Sequence, residues 1–459
     1  MAKVIKLRKG LDINLKGKAT RETLTVGCPG EYALVPDDFH GVKPKVVVKE
    51  GDAVKAGDAL FVDKLHPEVK FVSPVSGTVS QVERGDRRKL LSIRVKADEK
   101  QEARLFDTKG DVKALMLESG LFAFLRQRPY DVVANPEDKP KAIFVSAFNS
   151  MPLSQDFEYV LEGQEAEFQA GISALAKMAN QVSTAEGKVK VYLGVSAKQT
   201  AKALTEAKDC EVNIFDGPAP AGNVGVQINH VSPVNKGEVV WTMGAEEVIF
   251  LGRLVKTGKV DFTRTIALAG SEVKEPKYYK VKVGQKLTTL LNEKLKIKNE
   301  KGDGGSVRII NGNVMTGLKT TAEGFLGAHA TEVNVIPEGD HADEMLGWIM
   351  PRLNTFSTHR SYFSWLFGKK KEYVIDARIK GGERHMIMSG EYDKVFPMDI
   401  YAGYLVKAII AGDIDRQEAL GIYEVAPEDF AIAEFVDSSK LELQRIVREG
   451  LDILRKENA

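Results

Sequence analysis

Between Glu31 and Lys96 short, largely apolar runs, KVVV, ALFV, VKFV, GTVSQV and LLSIRV, alternate with glycine and proline corners. Runs of strand length and β-type composition, interrupted every few residues by turn formers, predict a small all-β unit. The polar stretch KADEKQEARLFDTKGD (96–111) then predicts a linker. Beyond it the rhythm lengthens. KAIFVSAF (141–148) is an apolar run of strand length, and QEAEFQAGISALAKMANQV (164–182) sets Phe168, Ile172, Leu175 and Met178 on one helical face. KVKVYLGV (188–195) and CEVNIF (210–215) predict two further strands, with a helix over SAKQTAKALTEA between them and Ser196 as its N-cap. Alternation at this spacing predicts a parallel, doubly wound sheet.

After Gly258 the short period returns in TRTIALAG, YYKVKVG, SVRIING and TEVNVIP, with one amphipathic helix, QKLTTLLNEKL, among them. This predicts a small α+β unit. Past Pro337 the pattern turns helical in HADEMLGWIMPRL, PMDIYAGYLVKAIIAGD and DSSKLELQRIVREGLDILRKE. In the last of these, Leu443, Ile446 or Val447, Leu451 and Leu454 recur at helical spacing and predict a buried stripe.

Composition narrows the partners. The 459 residues are 43% hydrophobic and 28% charged, as expected of several folded domains. Lys+Arg number 65 against 64 Asp+Glu, leaving no basic excess to attract a phosphate backbone, so no nucleic-acid partner is expected. The start, MAKVIKLRKG, lacks the apolar centre of a secretory signal, and no run approaches the roughly 18 apolar residues that span a bilayer. The expectation is a chain that stays in the cytoplasm.

Motifs for cofactor chemistry are sparse. No G-x-G-x-x-G is present, and GRLVKTGKV (252–260) has one residue too many between its glycines and Val260 where a P-loop places Ser or Thr. Seven histidines show no metal-ligand spacing; His230 and His329 are the two expected near a cleft. Cys28 and Cys210 alone cannot build a disulfide framework or a cysteine-ligated cluster within the chain. One segment, RSYFSWLFGKKKEY (360–373), interleaves Tyr362, Phe363, Trp365 and Phe367 with Lys369, Lys370 and Lys371. Rings at an interface with ammonium groups toward lipid phosphates fit a membrane surface or a membrane-embedded partner, while a hairpin with a solvated basic turn gives the same pattern. These seven residues are the candidate partner-docking site.

The stretch VVKEGDAVKAGDALFVDKLHPEVKFVSPVSGTVSQVE (47–83), with its two Gly-Asp corners and SPVSGTV, resembles a biotinyl/lipoyl carrier, which would make Lys64 the modified lysine. Lys64 stands ten residues before Pro74, a longer spacing than such carriers use, with His66-Pro67 in the turn. An unmodified, structural domain is expected.

Several motifs in a fixed order, LRKGLDINLKG, VSPVSGTV, NHVSPVNKGEVVW, ALAGSEVKEP, IINGNVMTG, FPMDIYAGYLVKAIIAGD and EDFAIAEFV, resemble the A subunit of the Na⁺-translocating NADH:quinone reductase (the NQR complex), across nearly the whole chain. That family is related to the C subunit of Rnf complexes and to the flavin subunit of respiratory complex I. The resemblance implies a multidomain α/β fold: an N-terminal barrel-sandwich (biotinyl/lipoyl-like) β domain with an N-terminal extension over 1–100 and a Rossmann-like domain over 101–260. A soluble-ligand-binding (SLBB) β-grasp α+β domain over 261–340 and a C-terminal helical domain over 341–459 complete it.

In the relatives a G-x-G-G-x-G-F loop lies under FMN. Here no glycine occurs between Gly120 and Gly163, and Phe124 and Arg126 would obstruct the backbone approach that glycines allow. The relatives' acidic N-A-D/E-x-x-E-P stretch is SAFNSMP (146–152), with Phe148, Asn149 and Met151 in place of acids, and their C-terminal cysteine positions are Ala433 and Asp437. The expectation is a degenerate flavin pocket near Phe148, Asn149 and Met151, with no catalytic residue, no metal and no cofactor bound by this chain. By resemblance, NADH, flavins, Fe–S centres and quinone are handled by the other five subunits, the chain sits peripherally on the cytoplasmic face of the bacterial inner membrane beside a membrane subunit, and ubiquinone or menaquinone is a candidate ligand. The chain would act within an oxidoreductase and translocase and be inactive alone; an Rnf-like NADH:flavin dehydrogenase subunit is the alternative.

Overall fold

A computed structural model describes the chain except Met1, Cys28, Pro29, 184–186, Glu293, 296–305, 341–349, His359, Ser361, 387–389 and Ala459, and the side chains of Gly368 and Lys369. The expected helix at the start of HADEMLGWIMPRL therefore lies outside the described residues.

The first unit is a sandwich of two small antiparallel sheets. One holds Glu31–Leu34, Leu90–Ala97, Gly77–Arg84 and Ala53–Val54 in that order, and the other Pro44–Val46, Ala59–Asp63 and Lys70–Val72. The Gly-Asp corners form because Gly51 and Gly57 take φ of +91° and +96°, and the Asp52 and Asp58 carboxylates accept from the Lys49 and Lys55 amides at 2.7 and 2.8 Å. Phe61 and Phe71 stack at 4.4 Å in the core. Lys64 is exposed at the hairpin tip, whose turn is tied to the neighbouring strand by its amide on the Lys43 carbonyl, 2.8 Å. The polar linker is tied down: Phe106 is buried and its amide donates to the Gly258 carbonyl at 2.8 Å.

The second unit is a seven-stranded sheet. Lys3–Lys6, Glu211–Asp216, Lys190–Ser196, Ala142–Ser146 and Val240–Gly244 run parallel in that spatial order, and Arg126–Arg128 and Val132–Val133 close the other edge antiparallel. Helices Glu165–Val182 and Ala245–Thr257 pack tightly against each other; a methyl group at Gly252 would strike the Glu167 carbonyl, and one at Gly171 the Val248 carbonyl. Phe168, Ile172, Leu175 and Met178 are all buried, as their spacing predicts.

The helix expected over 196–207 is reduced to Lys202–Thr205, and Ser196 ends a strand. The Gln199 side chain accepts from the Ser196 amide at 2.8 Å, and Glu158 accepts from the Thr200 and Ala201 amides at 2.7 and 2.6 Å, so side chains take the donors of a helix first turn.

A six-stranded sheet follows, ordered Leu318–Thr320, Val307–Asn311, Glu332–Pro337, Thr263–Ala269, Lys277–Lys282 and Thr20–Thr25. Its last strand comes from the chain's N-terminal segment. The described part of QKLTTLLNEKL holds a helix only over Thr288–Leu291.

Helices Ala402–Ile410, Ile414–Ala419, Ala431–Val436 and Leu443–Glu457 form the C-terminal unit, with Leu443, Val447, Leu451 and Leu454 fully buried. They share one core with Phe144 and Phe215 of the seven-stranded sheet. Asp437, buried at the end of the helix Ala431–Val436, accepts from the Ser439 and Leu441 amides at 3.0 and 2.8 Å and so builds a turn. Among the described residues no helix is long and apolar enough to cross a membrane.

Candidate functional site at the sheet switch point

In the seven-stranded sheet the chain leaves Ala142–Ser146 toward one side and later returns on the other as Val240–Gly244. Two connections diverging in this way leave a crevice beyond the carboxyl ends of the two strands, the position where open α/β sheets bind ligands. A cleft of about 250 Å³ lies there, lined by Ser146, Gly244, Phe124, Arg126, Glu246 and Glu247 among others.

Phe148, Asn149 and Met151 all line this cleft. Their loop is closed by its own hydrogen bonds. Ser146 Oγ donates to the Gly222 carbonyl at 2.8 Å and lies 3.1 Å from the Phe148 carbonyl, and the Met151 amide donates to Asn149 Oδ1 at 2.9 Å. Opposite them, the glycine-free segment after Gly120 is a packed apolar turn over Leu121–Phe124, with every residue from Leu121 to Leu125 buried. The Phe124 ring meets Phe262 at 5.5 Å and the His329 ring at 5.4 Å, occupying space that a glycine would leave open.

The third wall is the N-terminus of helix Ala245–Thr257. Its partial positive charge would ordinarily favour an anion. Here Glu246 and Glu247 occupy the first turn and both are buried. Gly244 has no side chain in the space that the Glu247 carboxylate fills. Arg264, also buried, pairs with Glu247 at 2.6 Å and with Glu246 at 3.3 Å, and donates to the Ala330 carbonyl at 2.8 Å. Gln155 Nε2 donates to Glu246 at 2.9 Å. Burial pushes the Glu246 carboxyl up to about 7 against the pull of Arg264, and burial lowers His329 to about 4. A phosphate entering here would meet the Glu246 and Glu247 carboxyl groups already seated on the helix end and paired with Arg264.

Of the two histidines expected near a cleft, His329 lines this one, whereas His230 turns its Nδ1 onto the Val226 carbonyl of its own helix, 2.9 Å. GRLVKTGKV forms a helix C-terminus, with Gly258 left-handed at φ +70°, and not a phosphate loop. Burial and Asp209 push the Cys210 thiol up to about 12; Cys28 lies outside the described residues.

Tyr362, Phe363, Trp365, Phe367, Lys370 and Lys371 lie in or beside a separate 3-10 turn, Phe363–Lys370, and not in the hairpin that the sequence pattern also allowed. The side chain of Lys369 lies outside the described residues. No sequence motif anticipates the cluster of Glu246, Glu247, Gln155 and Arg264. Its one legible signal is the acid pair opening a helix directly after the apolar run VVWTMG; Arg264 joins it only through the neighbouring sheet.

These features define a multidomain α/β protein with a Rossmann-type crevice whose anion position is filled by its own carboxylates. Family models describe the same units in order: the NqrA N-terminal barrel-sandwich hybrid domain over residues 5–98, the NqrA second alpha/beta domain over 107–260, and the NQRA C-terminal domain over 265–322. The chain is 35% identical to the A subunit of the Na(+)-translocating NADH-quinone reductase of Yersinia pestis, over 99% of this chain and all of that one. It is 36% identical to the protein of that name from Saccharophagus degradans and 33% to that of Vibrio atlanticus, at the same coverage. The chain belongs to the NqrA family, the A subunits of Na⁺-translocating NADH-quinone reductases.

Proposed function

We propose that this chain works as a redox-silent subunit of a Na⁺-translocating NADH-quinone reductase, with NADH, flavin and iron–sulfur chemistry left to its partner subunits. The observation that carries this reading is the helix end at the switch point, where Glu246 and Glu247, clamped by Arg264, stand in the position a cofactor phosphate would need. The packed Phe124 turn, in place of a glycine loop, supports it. An Rnf-like dehydrogenase role is not favoured, since the full-length relatives carry the quinone reductase name.

In this reading the chain docks peripherally on the cytoplasmic side of a membrane subunit and supports assembly and the quinone-reducing end. A second cleft, about 380 Å³, is lined by Phe356, Tyr362, Ile375 and Phe435, with Gln444 and Glu434 as polar groups. Its size and mixed lining suit the head group of ubiquinone or menaquinone.

Mass spectrometry of the purified chain tests the redox-silent reading. Native spectra after mixing with FMN and NADH should show the bare polypeptide, and denaturing spectra should show no increment on Lys64. One tightly held FMN per chain would overturn the reading, and a covalent increment on Lys64 would revive the carrier role.

A further inference from the structure

We infer that the turn Phe363–Lys370, flanked by Arg360 and Lys371, is a lipid anchor that seats its aromatic and aliphatic side chains in an anionic bilayer surface. The turn presents four large apolar side chains to solvent in sequence, Phe363 at 57%, Trp365 at 43%, Leu366 at 62% and Phe367 at 50% exposure. Leaving them there in water is unfavourable, because apolar surface gains on transfer out of water.

The turn is held from beneath. Ser364 is buried and its hydroxyl donates to the Thr355 carbonyl; the Tyr373 hydroxyl donates to the Ser364 carbonyl at 3.3 Å. Tyr373 is itself fixed to the N-terminal segment, its amide on the Asn14 carbonyl and its carbonyl on the Lys16 amide, both at 2.9 Å. The Phe356 ring packs between Tyr373 at 5.4 Å and Phe435 at 5.8 Å. The apolar side chains therefore project from a braced support.

Charge identifies the occupant. Residues 350–384 contain eight Lys and Arg against three Asp and Glu, in a chain whose net charge is only +1. Two of the cations lie against the exposed rings, Arg360 at 5.0 Å from Trp365 and Lys371 at 4.6 Å from Phe367. Rings flanked by ammonium and guanidinium groups match the layered chemistry of a membrane interface, where aromatic bodies sit at headgroup depth and cations meet lipid phosphates. The four side chains offer roughly 400 Å², about half the ~800 Å² that one partner contributes to a standard protein interface. Binding to a bilayer scales with the apolar area inserted and adds attraction between the cations and anionic lipid, without the shape complementarity that a protein interface requires.

Flotation of the purified full chain with vesicles tests the inference. The chain should float with vesicles of equal parts phosphatidylcholine and phosphatidylglycerol, stay behind with phosphatidylcholine alone, and be released by high salt. The double substitution Leu366→Ser with Phe367→Ser should lower binding by at least about tenfold, with an unchanged thermal midpoint. Lys370→Glu with Lys371→Glu should weaken binding to the anionic vesicles. Wild-type chain that ignores anionic vesicles, or a serine variant that floats as well as wild type, overturns the proposal. So does loss of the serine variant from the detergent-solubilised complex, which would assign this face to a membrane subunit.

Discussion

Glu246 shows how one buried carboxyl shapes the cleft. It is held by Gln155 and Arg264, and burial raises it from its ordinary value near 4.5 to about 7. The sign of its effect on stability follows from linkage. The folded state holds the proton more tightly than the unfolded chain, so stability falls as pH rises from about 4.5 through about 7. Glu246→Gln keeps an acceptor for Gln155 and leaves Arg264 paired with Glu247, and should remove a fall of a few kcal/mol. Thermal midpoints of the two proteins between pH 5 and pH 8.5 check this; parallel profiles would show that Glu246 does not titrate in that range. Asp131 is the opposite case: burial alone would raise it, but Arg126, Arg128 and Arg448 hold it at about 2, and the cluster ties the edge of the sheet to the C-terminal helix.

At the scale of elements, helix Ala245–Thr257 brings its N-terminus to the cleft, and its close crossing with helix Glu165–Val182 depends on Gly171 and Gly252. Gly252→Ala should cost about 1–3 kcal/mol because the added methyl meets a backbone carbonyl that cannot move without shifting a helix. Chemical denaturation measures it, and a variant as stable as wild type would mean that the helices separate without strain. The long helix and the apolar strands are legible because period and length alone distinguish them. The helix expected over 196–207 fails to form in full because Glu158 and Gln199, one of them distant in sequence, take the amides that a first turn would present. Propensity describes a segment in isolation, and these competing acceptors enter only when the fold brings them near.

For the whole molecule, the first 25 residues are the unexpected joint. Lys3–Lys6 completes one edge of the seven-stranded sheet, Thr20–Thr25 completes an edge of the six-stranded sheet, and Leu15 bridges to Tyr373 beneath the aromatic turn. Removing residues 2–18 should therefore lower the thermal midpoint and speed tryptic cleavage at Lys370 and Lys371. Limited proteolysis with mass detection of the fragments reads this directly, and an unchanged cleavage rate at those two sites would show that the turn is braced without the N-terminal segment.

The short β-type runs between glycine and proline corners in 31–96, the helix period of 164–182 and the stripe from Leu443 to Leu454 are local properties, so the sequence by itself determined the character of the main units and where most of their elements fall. It also carried the missing glycines after Gly120 and the aromatic-basic run at 360–373, since residue identity alone decides whether a backbone can approach a ligand or a surface bears charge. Only the tertiary structure decided which sheets receive the N-terminal strands, and that Arg264 reaches back to Glu246 and Glu247. Strand pairing and buried ion pairs join residues far apart in the chain, and their energies depend on distance and burial, which local periodicity does not encode.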